Sequence, residues 1–146
     1  MKVRVTTVIE RPQQHVWSFF EDPEKLKLWV PGLVELRITS PSPHGPGSTY
    51  VMRMKEGRRV RDYQGETLVW DPPRRVKEHL WGEHLLSVRL MTADYRLEDL
   101  GERTRLDYEN EFEARGFWRL VLPVTVLLGG IYCRAMFRTL KRVAEA

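Results

Sequence analysis

At 146 residues, 42% hydrophobic and 30% charged, the chain is sized and composed for one globular domain with a real core. That composition excludes a disordered chain. The 24 Lys and Arg against 20 Asp and Glu leave a net charge of only +4, and arginines alternate with acids along most of the sequence, so solvated faces explain them better than a nucleic-acid footprint.

Residues 2–10 (KVRVTTVIE) alternate, with Val3, Val5, Thr7 and Ile9 on one side, which predicts a half-buried strand. This N-terminus lacks the apolar core of a signal peptide, so a cytoplasmic protein is the expectation. Two short helices should follow. Arg11-Pro12 starts the first, with Val16, Phe19 and Phe20 on one face, and Asp22-Pro23 starts the second, which Pro31-Gly32 ends. Residues 33–39 alternate again, and 40–47 (SPSPHGPG) carry a loop signal. Strands are then expected at 48–55, 58–70, 74–81, 84–98 and 103–115, joined by short turns, which makes the sheet antiparallel. Gly116 should close the sheet before a helix over 117–145. One strand, two helices, six strands and a long helix is an α+β order with a strongly bent sheet, read as one domain over 1–146.

That order, with VWSFFEDPEKLKLWVPG after the first strand, WDPPRRVKEHLWG at a hairpin and a closing FRTLKRVAEA, resembles the START/Bet v1-like (SRPBCC) superfamily. Within it, the chain is most similar to small bacterial proteins called polyketide cyclase/dehydrase-like or coenzyme-Q-binding START-like. The resemblance spans the whole chain but rests on diffuse fold markers. It implies a helix-grip fold, in which a seven-stranded antiparallel sheet curves around the C-terminal helix and leaves a hydrophobic ligand cavity. The superfamily includes lipid carriers, ligand binders, polyketide aromatase/cyclases and hydrolases, so membership leaves the function open.

Strand register indicates which side chains line the inside. On 103–115, Arg105, Asp107, Glu109, Glu111 and Glu113 share one side, which turns Thr104, Leu106, Tyr108, Asn110 and Phe112 inward. Pairing Glu98 with Arg103 turns Leu97, Tyr95, Ala93, Met91 and Arg89 inward. Pairing Trp81 with His84 adds Val76, Glu78 and Leu80, with Glu78 across from Ser87 and diagonal to Arg89. The next two turns add Tyr63, Gly65, Thr67 and Val69, then Tyr50, Met52 and Met54 with Arg61. An interior holding Glu78, Arg89, Asn110 and four tyrosines suits a mixed cavity for a small molecule, because buried charges need partners. A slip of one residue would carry the charges to the sheet rim instead. The tyrosines would serve equally as ordinary core packing.

No spacing of the four histidines or the single cysteine forms a metal site, and no serine elbow or phosphate-cradling glycine loop is present, so no cofactor is expected. Cys133, among apolar neighbours, reads as a buried thiol without chemistry. A Glu78–Arg89 pair among tyrosines would support acid–base chemistry or hold a polar head group equally well. Pairing depresses a carboxylate pKa and makes a poorer base, so the balance lies against an enzyme.

Residues 120–133 form a run of fourteen uncharged residues between Arg119 and Arg134, short of the ~18–20 a membrane span needs and interrupted by Pro123 and Gly129-Gly130. Treated as regular helix, 117–145 turns Val121, Thr125, Gly129, Tyr132, Met136, Leu140 and Val143 toward the sheet, with Gly129 leaving room for a ligand. The opposite stripe carries Arg134, Arg138, Lys141, Arg142 and Glu145, and continues back through Leu120, Pro123, Val124, Leu127 and Ile131, all apolar. That face calls for a homodimer contact, a membrane-surface contact, a cavity lid or a phase shift in the helix.

The leading function is binding or carriage of a hydrophobic small molecule: a lipid, fatty acid, isoprenoid quinone or polyketide-like aromatic. The expected ligand-binding residues are Tyr50, Met52, Tyr63, Glu78, Arg89, Met91, Tyr95, Tyr108, Asn110, Phe112, Thr125, Gly129 and Tyr132. The alternatives are a polyketide aromatase/cyclase-type enzyme, and a dimerisation or membrane-docking module acting through the last helix.

Overall fold

The computed structural model describes residues 2–42, 44–82, 88–114, 120 and 122–146. Strand β1 (Lys2–Ile9) leads into helices α1 (Gln13–Glu21) and α2 (Pro23–Trp29), then strands β2 (Leu33–Ile38), β3 (Thr49–Glu56), β4 (Arg59–Asp71), β5 (Arg75–Trp81), β6 (Val88–Asp99) and β7 (Thr104–Ala114), and helix α3 (Leu122–Glu145). The seven strands form one antiparallel sheet in the order β1-β7-β6-β5-β4-β3-β2. β1 therefore pairs with the last strand, and the two short helices carry the chain from one sheet edge to the other.

Local chemistry sets the element ends. Asp22 caps α2 by accepting a 2.9 Å hydrogen bond from the Glu24 backbone N–H, with Pro23 behind it in the first turn. Asp22→Ala is expected to lower stability by about 1 kcal/mol, read as a lower urea midpoint at unchanged slope. Gly32, at φ +80°, makes the turn into β2, where a side chain would sit 2.5 Å from the Lys55 carbonyl oxygen.

The core lies between one end of the sheet's inner face and the helices. Ile9, Val16, Leu106 and Leu140 are fully buried, and Trp17 and Phe137 nearly so. Phe137 packs on Tyr108 (ring centroids 4.8 Å apart), Tyr95 and Trp29. The Trp29 indole N–H donates 2.9 Å to the Phe19 carbonyl, satisfying a polar atom inside this cluster.

The sheet departs from the expected register in four places. Glu98 pairs with Arg105, not Arg103, a slip of two that leaves Leu97, Tyr95, Ala93 and Met91 inward because side chains alternate with period two. Glu78 pairs with Ala93, not Ser87, so strand pairing does not set it diagonal to Arg89. A bulge at Leu68 reverses the expected facing beyond it: Trp70 pairs with inward Val76, while Val69 pairs with Lys77. A second irregularity between Val88 and Leu90 leaves Arg89 unpaired in the β6–β7 ladder.

Helix α3 starts at Leu122, and its buried stripe is Cys133, Met136, Phe137, Leu140 and Ala144. This is rotated toward Phe137 from the expected stripe: Tyr132 is half-exposed and Val143 only partly buried. α3 leans on β1 and α2, so its Tyr132 flank faces away from that packing. The side chains of Val121 and Thr125 lie outside the described residues.

Candidate functional site

Beyond the core, the curled sheet and α3 do not close on each other, and a cavity of about 610 Å³ remains between them. Its floor is the inner face of the sheet. One cross-strand row runs Thr67, Glu78, Ala93, Asn110, and ends at Val3 on β1. The row on one side is Tyr50, Gly65, Leu80, Met91 and Phe112; on the other it is Trp70, Val76, Tyr95 and Tyr108. Of these, all but Gly65 and Val3 line the cavity. Met52, Met54, Leu36 and Ile38 extend the wall, Leu26 of α2 and Val30 just after that helix close one side, and Leu128, Gly129, Tyr132 and Met136 of α3 form the roof.

The polar centre of this wall is Glu78. Its carboxylate accepts a hydrogen bond from the Tyr50 hydroxyl, which reaches across β4 from β3. Gly65 makes that crossing possible, because a Cβ there would lie only 2.3 Å from two carbons of the Tyr50 ring. Burial raises the Glu78 pKa, and the hydrogen bond from Tyr50 only partly opposes it. Glu78 keeps some accessible surface because it fronts the cavity. Tyr50, Tyr95 and Tyr108 are all held well above the ordinary tyrosine range, chiefly by burial, so each stays a neutral hydroxyl. The Oδ1 of buried Asn110 has no hydrogen-bond partner among the described residues.

At the other end, the Tyr63 hydroxyl donates to Glu56, and its pKa is pushed up to about 12, by burial first and this bond second. Arg61 sits 3.5 Å from the same carboxylate. With half-exposed Tyr132 and exposed Leu128, these residues mark an opening between the β3–β4 hairpin and α3.

Of the residues expected from sequence, Tyr50, Met52, Tyr63, Glu78, Met91, Tyr95, Tyr108, Asn110, Phe112, Gly129 and Tyr132 line this one cavity. The Arg89 and Thr125 side chains lie outside the described residues. Glu78 stands level with Ala93, four residues from Arg89, and among the described residues its side-chain hydrogen bond is with Tyr50. A methyl added at Gly129 would fit in ordinary contact, 3.8 Å from Val3 and 3.9 Å from Phe112.

Several lining groups lie outside the expected set, among them Leu26, Val30 and Leu128, and also Trp70, His44, Leu36 and Ile38. Trp70 faces inward only because of the bulge at Leu68, which no residue pattern announces. His44, from the Pro/Gly loop, stacks on Trp70 with ring centroids 4.5 Å apart and planes 6° from parallel. Leu36 and Ile38 had a signal, the alternation of 33–39, which reads equally as any half-buried strand. Among the described residues, no group of three or more His, Cys, Asp or Glu forms a metal site, and no helix is long and apolar enough to cross a membrane.

A curled antiparallel sheet gripping a C-terminal helix around an apolar chamber, with polar groups converging on one wall, defines a helix-grip cavity protein. The chain belongs to the family described as polyketide cyclase / dehydrase and lipid transport, whose model matches residues 1–145. It is 27% identical over 135 residues to uncharacterized protein Rv2574 of Mycobacterium tuberculosis (strain ATCC 25618 / H37Rv), covering 92% of this chain and 78% of that one. Its structure resembles Ara h 8.0201, with a TM-score of 0.76 at 10% identity over 99% of this chain and 97% of the other. It also resembles the Zhui aromatase/cyclase from Streptomyces sp. R1128, with a TM-score of 0.74 at 17% identity over 99% and 93%. At such identities the two structural likenesses are of fold alone.

Proposed function

We propose that the protein binds and carries a hydrophobic small molecule in the cavity between sheet and α3. The observation that carries this reading is a chamber of about 610 Å³, within the range of small-molecule sites, walled mostly by apolar and aromatic side chains, with the Glu78–Tyr50 pair on its inner wall. Lipids, fatty acids, isoprenoid quinones and polyketide-like aromatics share the required shape, an apolar body with a polar handle. The ligand contacts proposed are the lining residues expected from sequence, with Glu78 and Tyr50 meeting the handle. The exposed face of α3 (Leu120, Val124, Leu127 and Ile131) serves as a contact surface, for a second copy or for a membrane.

Ala93 stands between Glu78 and Asn110 on the cavity floor, so Ala93→Phe fills the chamber from its centre. The variant is expected to lose at least about tenfold in affinity for a fluorescent amphiphile, since the ring occupies volume the probe needs. Native mass spectrometry of the unmodified protein should show a co-purifying small molecule. Absence of any bound molecule, together with no amphiphile uptake, would sink the carrier reading.

A second reading, a polyketide aromatase/cyclase-type enzyme, is favoured by the same pair. A buried carboxyl of raised pKa, hydrogen-bonded to a tyrosine, is suited to deliver a proton to a substrate carbonyl. Turnover of a polyketide-like substrate that Glu78→Gln leaves unchanged would remove Glu78 from that role.

A further inference from the structure

Among the described residues, nothing covers the outer face of α3. Val124, Leu127 and Ile131 are 61%, 62% and 52% exposed, and Leu120 just before the helix is 79% exposed. At about 100° per residue, that stripe continues along the same side of the helix into Arg134, Arg138 and Arg142. All three arginines are exposed, and none has a carboxylate within ion-pair distance among the described residues. The acid at this end, Glu145, is taken by Lys141 at 2.7 Å. Leu128 and Tyr132 lie beside the stripe, on the flank toward the cavity; both are half-exposed or more, and both line the cavity.

We infer that this face docks on an anionic lipid surface, with Val124, Leu127 and Ile131 entering the headgroup layer and Arg134, Arg138 and Arg142 meeting lipid phosphates. Charge decides between the occupants. A second copy of this chain would bring the same unpaired arginines to the contact, whereas anionic headgroups supply the opposite sign along the whole basic half. Docked this way, the opening marked by Leu128 and Tyr132 borders the bilayer. A hydrophobic ligand then passes between membrane and cavity without crossing water. This rests on the cavity reading for its purpose, but not for its geometry.

The test is flotation with vesicles of phosphatidylcholine, with and without about one third phosphatidylglycerol. The protein is expected to bind the anionic vesicles at least about tenfold more tightly than the neutral ones. Leu127→Glu should weaken that binding by about tenfold or more, since it removes apolar contact and adds a repelled charge. Arg134→Gln combined with Arg138→Gln should abolish the preference for anionic lipid. All three side chains are exposed, and unchanged thermal unfolding checks that the variants fold. Equal binding to both vesicles, or undiminished binding by Leu127→Glu, overturns the inference. A dimer lost in Leu127→Glu, without vesicle binding, overturns it too and assigns the face to a second copy. Amphiphile uptake without vesicles, which Leu127→Glu should retain, keeps a failed cavity reading distinct from a failed membrane reading.

Discussion

Alanine in place of Gly65 is expected to destabilise the protein by about 1–3 kcal/mol and to break the Tyr50–Glu78 hydrogen bond. Glycine inside a strand is ordinarily unfavourable, and alanine there would gain up to ~1 kcal/mol from a less flexible unfolded chain. Here the sign reverses. The added Cβ comes within 2.3 Å of the Tyr50 ring, whose phenol end is pinned by Glu78 and whose body is buried. The ring must swing into the cavity, which removes the hydrogen bond that holds the Glu78 pKa down. Denaturant unfolding should show the lower stability, and carbon-13 NMR of the Glu78 carboxyl should show it titrating at higher pH than in the unmodified protein. If both measurements are unchanged, Gly65 is not the gap through which Tyr50 crosses β4.

Glu78→Gln is expected to stabilise the protein by about 1–3 kcal/mol at pH above the raised Glu78 value and to have little effect below the unfolded carboxylate range. Burial raises the folded-state pKa of Glu78 above its unfolded value. Between those two values the folded protein binds more protons than the unfolded chain, so stability falls as pH rises. The stabilisation of the protonated carboxyl is complete below the unfolded carboxylate range and is lost as pH climbs through the raised value. Glutamine cannot ionise and still accepts the Tyr50 hydroxyl, so the variant does not follow that fall. Thermal melts of both proteins across the pH range check this: the difference in Tm should open toward alkaline pH. A difference that is constant with pH would mean that Glu78 ionises as freely in the folded state as in the unfolded one.

The two predictions meet at a contact between β3 and β5 that pairwise register cannot reveal. Alternation on β7, with five acidic or basic residues on one side of it, sets Tyr108, Asn110 and Phe112 inward without ambiguity. Working outward from that strand preserved facing even where the partner was wrong, because the β6–β7 slip is two residues and the β5–β6 slip is also even. It failed at Leu68, where one bulged residue moved Trp70 to the inner face in place of Val69. His44 was out of reach for a different reason: its stacking on Trp70 joins a loop to a strand with no shared periodicity. On α3, the exposed apolar stripe follows directly from helical phase and needs no shift. Its buried stripe was rotated because phase alone does not say on which neighbours the helix leans.

By itself, the sequence determined the order of elements, the antiparallel sheet, the inner and outer faces of its central strands, and an apolar face on the last helix with nothing of its own to bury it. These are local or period-two properties, set by turn chemistry and side-chain alternation. Only the tertiary structure decided that sheet and helix stand apart far enough to leave a chamber, and that Glu78 faces Tyr50. It also decided that the opening of that chamber lies beside the exposed stripe of α3. Those depend on sheet curvature, bulges and a ring crossing over a glycine, which act between residues distant in the chain.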